Sequence, residues 1–253
     1  MSISTAEQAI PPVLLSATKP VVAYTRKAPL PALTGIRTLL ALAIVLFHFT
    51  PPHLGLLYPF VDHGYVFVGV FFLISGYVLT YNYADRAATL NKRDFWIARV
   101  SRLYPVYLLV LVLSARMLMD EWSARPHAEF WQGLVLTPIL LQGWSPTLAT
   151  FWNTVAWTLS CEVVLYIAFP WLIRAHWPKT PRRLILLLLA LWAIGMIPHT
   201  VYLLLNPDHL TGPVTRYSST PLIRFLKFTP IPYICTFLVG VTLGKLQLSL
   251  PLS

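Results

Sequence analysis

Three kinds of side chain in this sequence can do chemistry among residues that are otherwise almost all apolar. His48 closes the run GIRTLLALAIVLFHFT, and Arg37 opens it eleven positions earlier. At 100° per residue that separation brings both to within about 20° of one helix face, about 16 Å apart along the axis. A neutral imidazole takes a proton from a hydroxyl or hands one to a leaving group near neutral pH. A histidine bonded at a helix end, just before Pro51-Pro52, would occupy the same position, so the sequence leaves both readings open.

Arg99 and Arg102, in ARVSR, are three residues apart and fall about 60° from each other around a helix. Two guanidinium groups so placed form a fork suited to phosphate oxygens, which planar donors bind bidentately. The competing reading is that they are two of many basic residues beside anionic headgroups. Glu162 lies deep in WTLSCEVVLYIAF and is the one carboxylate in any predicted span. An ionised carboxylate there costs several kcal/mol unless it is paired or protonated, so an Arg or His partner on another helix is a second reading beside catalysis. Thr158 and Tyr166 flank it at i−4 and i+4 on the same face.

Other reactive types read as structure. His63, beside Asp62, fits a loop. Gly69 and Gly76 share one helix face and fit close backbone packing, while Ser75 lacks the G-x-S-x-G elbow of a nucleophilic serine. Cys161 and Cys235 both sit in apolar runs and fit small core residues; no metal-ligand spacing is present.

The elements that must hold these residues follow from composition. Apolar types make up 57% of the 253 residues, charged types 11%, and the mean hydropathy is +0.65, which excludes a soluble core. The net charge of +10 is spread between apolar runs rather than gathered on a base-reading surface, which argues against nucleic acid. Six runs are long enough to cross a bilayer: Leu33 to Phe49, Tyr65 to Tyr83, Leu103 to Met119, Thr154 to Ile173, Leu184 to Leu205, and Pro230 to Leu248. Tyr104-Pro105 is expected to open the third, and TPIPY gives the last a broken start. EFWQGLVLTPILLQGW is interrupted by Gly133, Pro138 and Gly143, and reads as an interfacial or re-entrant segment with Trp131 and Trp144 at the headgroups.

The fold class expected is therefore all-α: a polytopic transmembrane bundle of about six spans, or seven if the re-entrant segment crosses. With the N-terminus inside, fourteen Lys and Arg fall on the cytoplasmic side and five on the other, which favours that orientation. Residues 1–30 are polar and Pro-rich without a signal-type apolar core, and read as a flexible cytoplasmic tail before one integral-membrane domain over 31–253.

Arg37 with ten residues before His48, FVGVFFLISGYVLT, RVSRLYP, and WTLSCEVVLYIAFP with Trp157, Ser160, Glu162 and Tyr166 together resemble the membrane-bound acyltransferase family 3 of bacterial O-acyltransferases. The order of these elements over residues 33–173 makes the resemblance specific; PYICTFLVGVTLGK follows it more loosely. The resemblance implies an inner-membrane, multi-pass enzyme that moves an acyl group, commonly acetyl from acetyl-CoA, to a hydroxyl of a polysaccharide or other carbohydrate acceptor. It implies catalytic roles for His48, Arg37 and Glu162, a coenzyme A grip by Arg99 and Arg102, and no metal. Such proteins run to about ten spans, so it also implies a chain shortened at its C-terminus. Two readings compete: a transporter of a small or lipid-linked sugar, with His, Glu and Arg along its path, and an inactive remnant. A phosphate grip at the inner rim favours the coenzyme A user over a transporter.

Overall fold

The computed structural model describes residues 27–49, 58–215 and 218–250. The tail predicted for residues 1–30 therefore lies outside the described residues apart from an irregular stretch at 27–30, as does Pro51-Pro52. The described residues are helical, with no strand among them. The helices are α1 (Pro31–Phe49), α2 (Tyr58–Asp62), α3 (Val66–Tyr83), α4 (Lys92–Leu113), α5 (Met117–Ala124), α6 (His127–Leu136), α7 (Trp157–Leu172), α8 (Pro181–Leu205), α9 (Pro221–Phe228) and α10 (Tyr233–Ser249). Six stretches are long and apolar enough to cross a membrane: α1, α3 to Arg86, α4, Thr154–Leu172, α8, and Pro221–Ser249, the last counting α9 and α10 together.

The centre of the bundle is α3 against α10. On α3 the buried residues Val68, Phe72, Ser75, Leu79 and Tyr83 recur at three- and four-residue steps, which makes one stripe. The neighbouring row carries Gly76, where a Cβ would strike the Phe237 carbonyl oxygen, and a Cβ on Gly240 would strike the carbonyl of Leu73. At Gly244 a Cβ would stand 2.7 Å from that of Thr80. Gly240 and Gly244 form a G-x-x-x-G pair, and the rising order of these contacts makes α3 and α10 parallel. Gly69, expected to share this packing with Gly76, does not: a Cβ there meets nothing within 4 Å. It lies two turns nearer the start of α3, at the level where the helices part around a cavity described below.

The third span differs from expectation. It begins at Lys92, not Leu103, and Pro105 lies inside it. Asn91 caps it, its side chain accepting from the Arg93 N–H at 3.0 Å, and Asp94 sits favourably in the first turn. The span ends at Leu113, where the Ser114 hydroxyl turns back to the Val110 carbonyl at 2.8 Å, and Met117 to Met119 belong to α5. Arg99 and Arg102 are thus not at the entrance of the span but about 10 and 15 Å along it from Lys92.

The segment between α6 and α7 re-enters the bundle without crossing it as a helix. Gln142 is fully buried, Tyr104 donates to the Pro138 carbonyl at 2.9 Å, and Ser160 of α7 donates to the Leu140 carbonyl at 2.6 Å while accepting from the Gly143 N–H at 3.1 Å. These bonds satisfy backbone groups that hydrocarbon would leave orphaned. Trp131 and Trp144 are both exposed. The two cysteines are free, Cys161 buried and Cys235 half-buried, and His63 lies in the turn before α3.

Candidate active site

Two adjoining cavities lie inside the bundle. The larger, of about 740 Å³, is bordered by the last turns of α1 (Phe47, His48), the start of α3 (Tyr65, Val68), the start of α7 (Trp157, Thr158), the late part of α8 (His199, Tyr202) and α9. All these segments lie at the end of the bundle where α1 finishes and α3 begins. The smaller, of about 80 Å³, lies further along α3 and is bordered by Arg37, Ser75, Val78, Leu79, Arg99, Arg102, Leu103, Glu162 and Tyr166. Arg37 and Glu162 border both.

His48 sits where its helix ends, and its Nδ1 lies 2.8 Å from the Ile44 carbonyl one turn back. A carbonyl only accepts, so Nδ1 carries the proton and the Nε2 lone pair of the neutral ring is left for another donor. The helix-end bond and the catalytic reading, alternatives on sequence alone, are thus compatible: the bond sets the tautomer of a base. Phe47 packs edge-on against the imidazole, the ring centroids 5.0 Å apart.

Glu162 has hydroxyl partners. Tyr166, one turn on, donates a short hydrogen bond to its Oε1, and Ser75 of α3 reaches the same oxygen at 3.4 Å. Among the described residues no Arg or His makes an ion pair with it. Thr158, the other expected flank, instead donates to the Val155 carbonyl at 2.9 Å and borders the large cavity. Tyr166 is itself fixed by Trp96 of α4, whose Nε1 donates to the Tyr166 carbonyl at 3.2 Å.

Arg99 is held by aromatic rings. Its Nη2 donates to the Tyr83 hydroxyl at 2.9 Å, and the guanidinium lies 5.6 Å from the Tyr83 centroid, 5.5 Å from that of Phe95 and 6.0 Å from that of Tyr166. Ring faces are favourable neighbours for a guanidinium away from water. Its Nε is buried and finds no acceptor among the described residues. Arg102 is exposed, and Arg37 lies 6.0 Å from the Phe71 ring centroid. Three guanidinium groups and one carboxylate therefore border a pocket the size of a phosphate or an acyl carbonyl, with one donor left unsatisfied. The residues fit the anionic end of a nucleotide-type donor, though a pocket this small holds one group of it rather than the whole molecule.

The five residues picked out by type and spacing are thus brought together, with Arg37 joining Arg99 and Arg102 as well as His48. Two residues of the large cavity were missed, His199 of α8 and Lys227 of α9. For His199 the signal was present, since an imidazole within a 25-residue apolar helix is as costly as His48.

The family model described as an acyltransferase domain (Acyl_transf_3) matches residues 30–252. Over 155 residues the chain is 33% identical to Acyltransferase MdmB of Streptomyces mycarofaciens, covering 57% of this chain and 39% of that protein. Over 198 residues it is 23% identical to Peptidoglycan O-acetyltransferase OatA of Listeria monocytogenes, covering 70% of this chain and 30% of that one. The matched segment is well under half the length of either relative. No solved structure matches. With the model matched along nearly all of its length, the chain belongs to acyltransferase family 3, the family its motifs resemble.

Proposed function

We propose that this chain is an integral-membrane O-acyltransferase that moves an acyl group, in the simplest case acetyl, from acyl-CoA to a hydroxyl of a carbohydrate or similarly hydroxylated acceptor. The observation that carries the reading is the shared border. Arg37 and Glu162 stand between an arginine-lined pocket suited to an anionic donor and a cavity whose wall holds a correctly tautomerised base. Acyl-CoA supplies a thioester carbonyl and an anionic handle. Arg99 and Arg102 grip that handle, and Arg37 sits where negative charge develops as the carbonyl is attacked. His48 Nε2 takes the proton of the acceptor hydroxyl as its oxygen bonds the acyl carbon, and the resulting imidazolium returns the proton to the departing thiolate. Glu162, held by Ser75 and Tyr166, balances the cationic cluster.

With the N-terminus inside, the orientation the charge count favours, the arginine pocket lies toward the cytoplasmic end, where α1 begins and α4 starts, and the cavity toward the opposite face of the inner (plasma) membrane. Residues 31–253 then act as one domain, loaded from inside and discharging outward. Sealed vesicles of both orientations test this with labelled acetyl-CoA outside. Label transfer is expected in inside-out vesicles and absent from right-side-out ones; equal transfer in both would remove the vectorial reading.

A further inference from the structure

Arg99 and Arg102 are only as well placed as the helix that carries them, and the first turns of α4 are held to α7 by large side chains. Lys92, Phe95, Trp96 and Arg99 fall at i, i+3, i+4 and i+7, on one helix face. The Lys92 ammonium lies 4.3 Å from the Trp171 ring centroid, and Phe95 stacks on Phe169 with centroids 5.5 Å apart. Trp96 packs on Trp171 at 5.6 Å and donates to the Tyr166 carbonyl at 3.2 Å, while the Arg99 guanidinium lies 6.0 Å from the Tyr166 ring. As α4 runs from 92 to 99, its partners on α7 run from 171 back to 166, which is one antiparallel register.

Arg174, two residues past the end of α7, fixes the same register from the rim. Its Nε donates to the Ala87 carbonyl at 2.8 Å, and its Nη2 to the carbonyls of Leu90 at 2.7 Å and Ala88 at 3.5 Å. These carbonyls belong to the short link between α3 and α4, and Leu90 directly precedes Asn91, the cap of α4. The start of α4 therefore cannot slide along α7 without breaking charge-assisted hydrogen bonds. A slip of one turn would carry Arg99 about 5.4 Å along the axis. That is far enough to lose the Tyr83 hydroxyl, the Tyr166 ring and the border of the small pocket. Trp96, Trp171 and Arg174 themselves border neither cavity.

We infer that Arg174, Trp171 and Trp96 are positioning residues of the donor site: they hold α4 in register on α7 and so set the depth at which Arg99 and Arg102 stand. This rests on the reading that those two arginines grip the donor.

A cycle of variants of the purified full chain, read in acetyl-CoA affinity, tests it. Arg174→Gln is expected to weaken binding by about tenfold or more, the worth of one misplaced charge-assisted contact. In a chain already carrying Arg99→Ala and Arg102→Ala the same change is expected to cost less than about twofold, because no grip is left to misplace. Trp171→Leu, which removes the ring under both Lys92 and Trp96, repeats the pattern and carries the test if the Arg174 variant fails to fold. Arg183→Gln, a rim arginine at the start of α8, stays within about twofold of the unaltered chain. Full affinity in Arg174→Gln and Trp171→Leu overturns the inference. An equal loss with and without Arg99 and Arg102 also overturns it, since that marks a direct contact or a general loss of structure. So does an Arg183→Gln loss as large as that of Arg174→Gln, which would mean that rim charge matters and register does not. Unchanged affinity when Arg99 and Arg102 alone are replaced removes the donor grip and this inference with it, a result distinct from the failure of the positioning residues only.

Discussion

Arg37 of α1 and Glu162 of α7, 125 residues apart in sequence, both border the arginine pocket and the histidine cavity without forming an ion pair with each other. The carboxylate is spoken for by Tyr166 and Ser75, and the guanidinium by the face of Phe71. Opposite charges kept apart at a junction leave a gap for substrate atoms, which a closed salt bridge would fill. That gap is where donor and acceptor meet in the proposed reaction.

Arg99 and Arg102 carry the first prediction. Replacing both by Ala weakens acetyl-CoA binding by roughly a hundredfold or more, since each charge-assisted contact contributes about 1.5–3 kcal/mol. Arg99→Lys recovers little, because an ammonium cannot make the same planar contacts with Tyr83 and the donor together. Titration of the purified chain with acetyl-CoA measures both; unchanged affinity in the double variant would remove the grip.

Tyr166→Phe strips Glu162 of its short hydrogen bond and leaves the Ser75 contact. The expected cost is about 1–3 kcal/mol, from a half-buried carboxylate deprived of a donor. Pairing it with Glu162→Gln should recover part of the loss, because the charge is then gone. Thermal unfolding in detergent reads both, and a stable Tyr166→Phe single variant would mean that Glu162 is adequately solvated without it.

The glycines separate two kinds of position on one helix. Gly76→Ala and Gly240→Ala force α3 and α10 apart and are expected to cost about 1–3 kcal/mol each, whereas Gly69→Ala, with open space around it, is neutral or gains up to about 1 kcal/mol of helix propensity. The same unfolding measurement ranks them. A Gly69 variant as damaging as the Gly76 one would contradict the packing described.

Apolar run length made the spans legible, because hydrocarbon thickness leaves few alternatives to a helix of about 20 residues. The start of the third span was misread for a physical reason: KRDFWIARVSR is too charged for a hydropathy argument, yet Asn91 at the cap and Asp94 three residues on are an ordinary helix-start pattern. That misreading put Arg99 and Arg102 at the entrance of the span instead of about two and three turns along it. His48, Arg37 and Glu162 stood out because each is costly among apolar neighbours, and His199 would have stood out by the same rule. The grouping of Arg37 with Arg99 and Arg102 was not legible, since it depends on how α1 and α4 are set in depth against α3 and α7. The close approach of α10 was half legible, in the G-x-x-x-G of Gly240 and Gly244.

The central claim is a division of labour between proton transfer at His48 and donor binding at the arginines. It is tested most directly by measuring acetyl-CoA affinity and acetyl transfer side by side in His48→Ala, in membranes where insertion of the variant has been verified. The account predicts donor affinity within about twofold of the unaltered chain and transfer lowered by at least the 10²–10⁴-fold that a general base contributes. Transfer at the unaltered rate, or a loss of donor affinity large enough to explain the lost transfer, would contradict it.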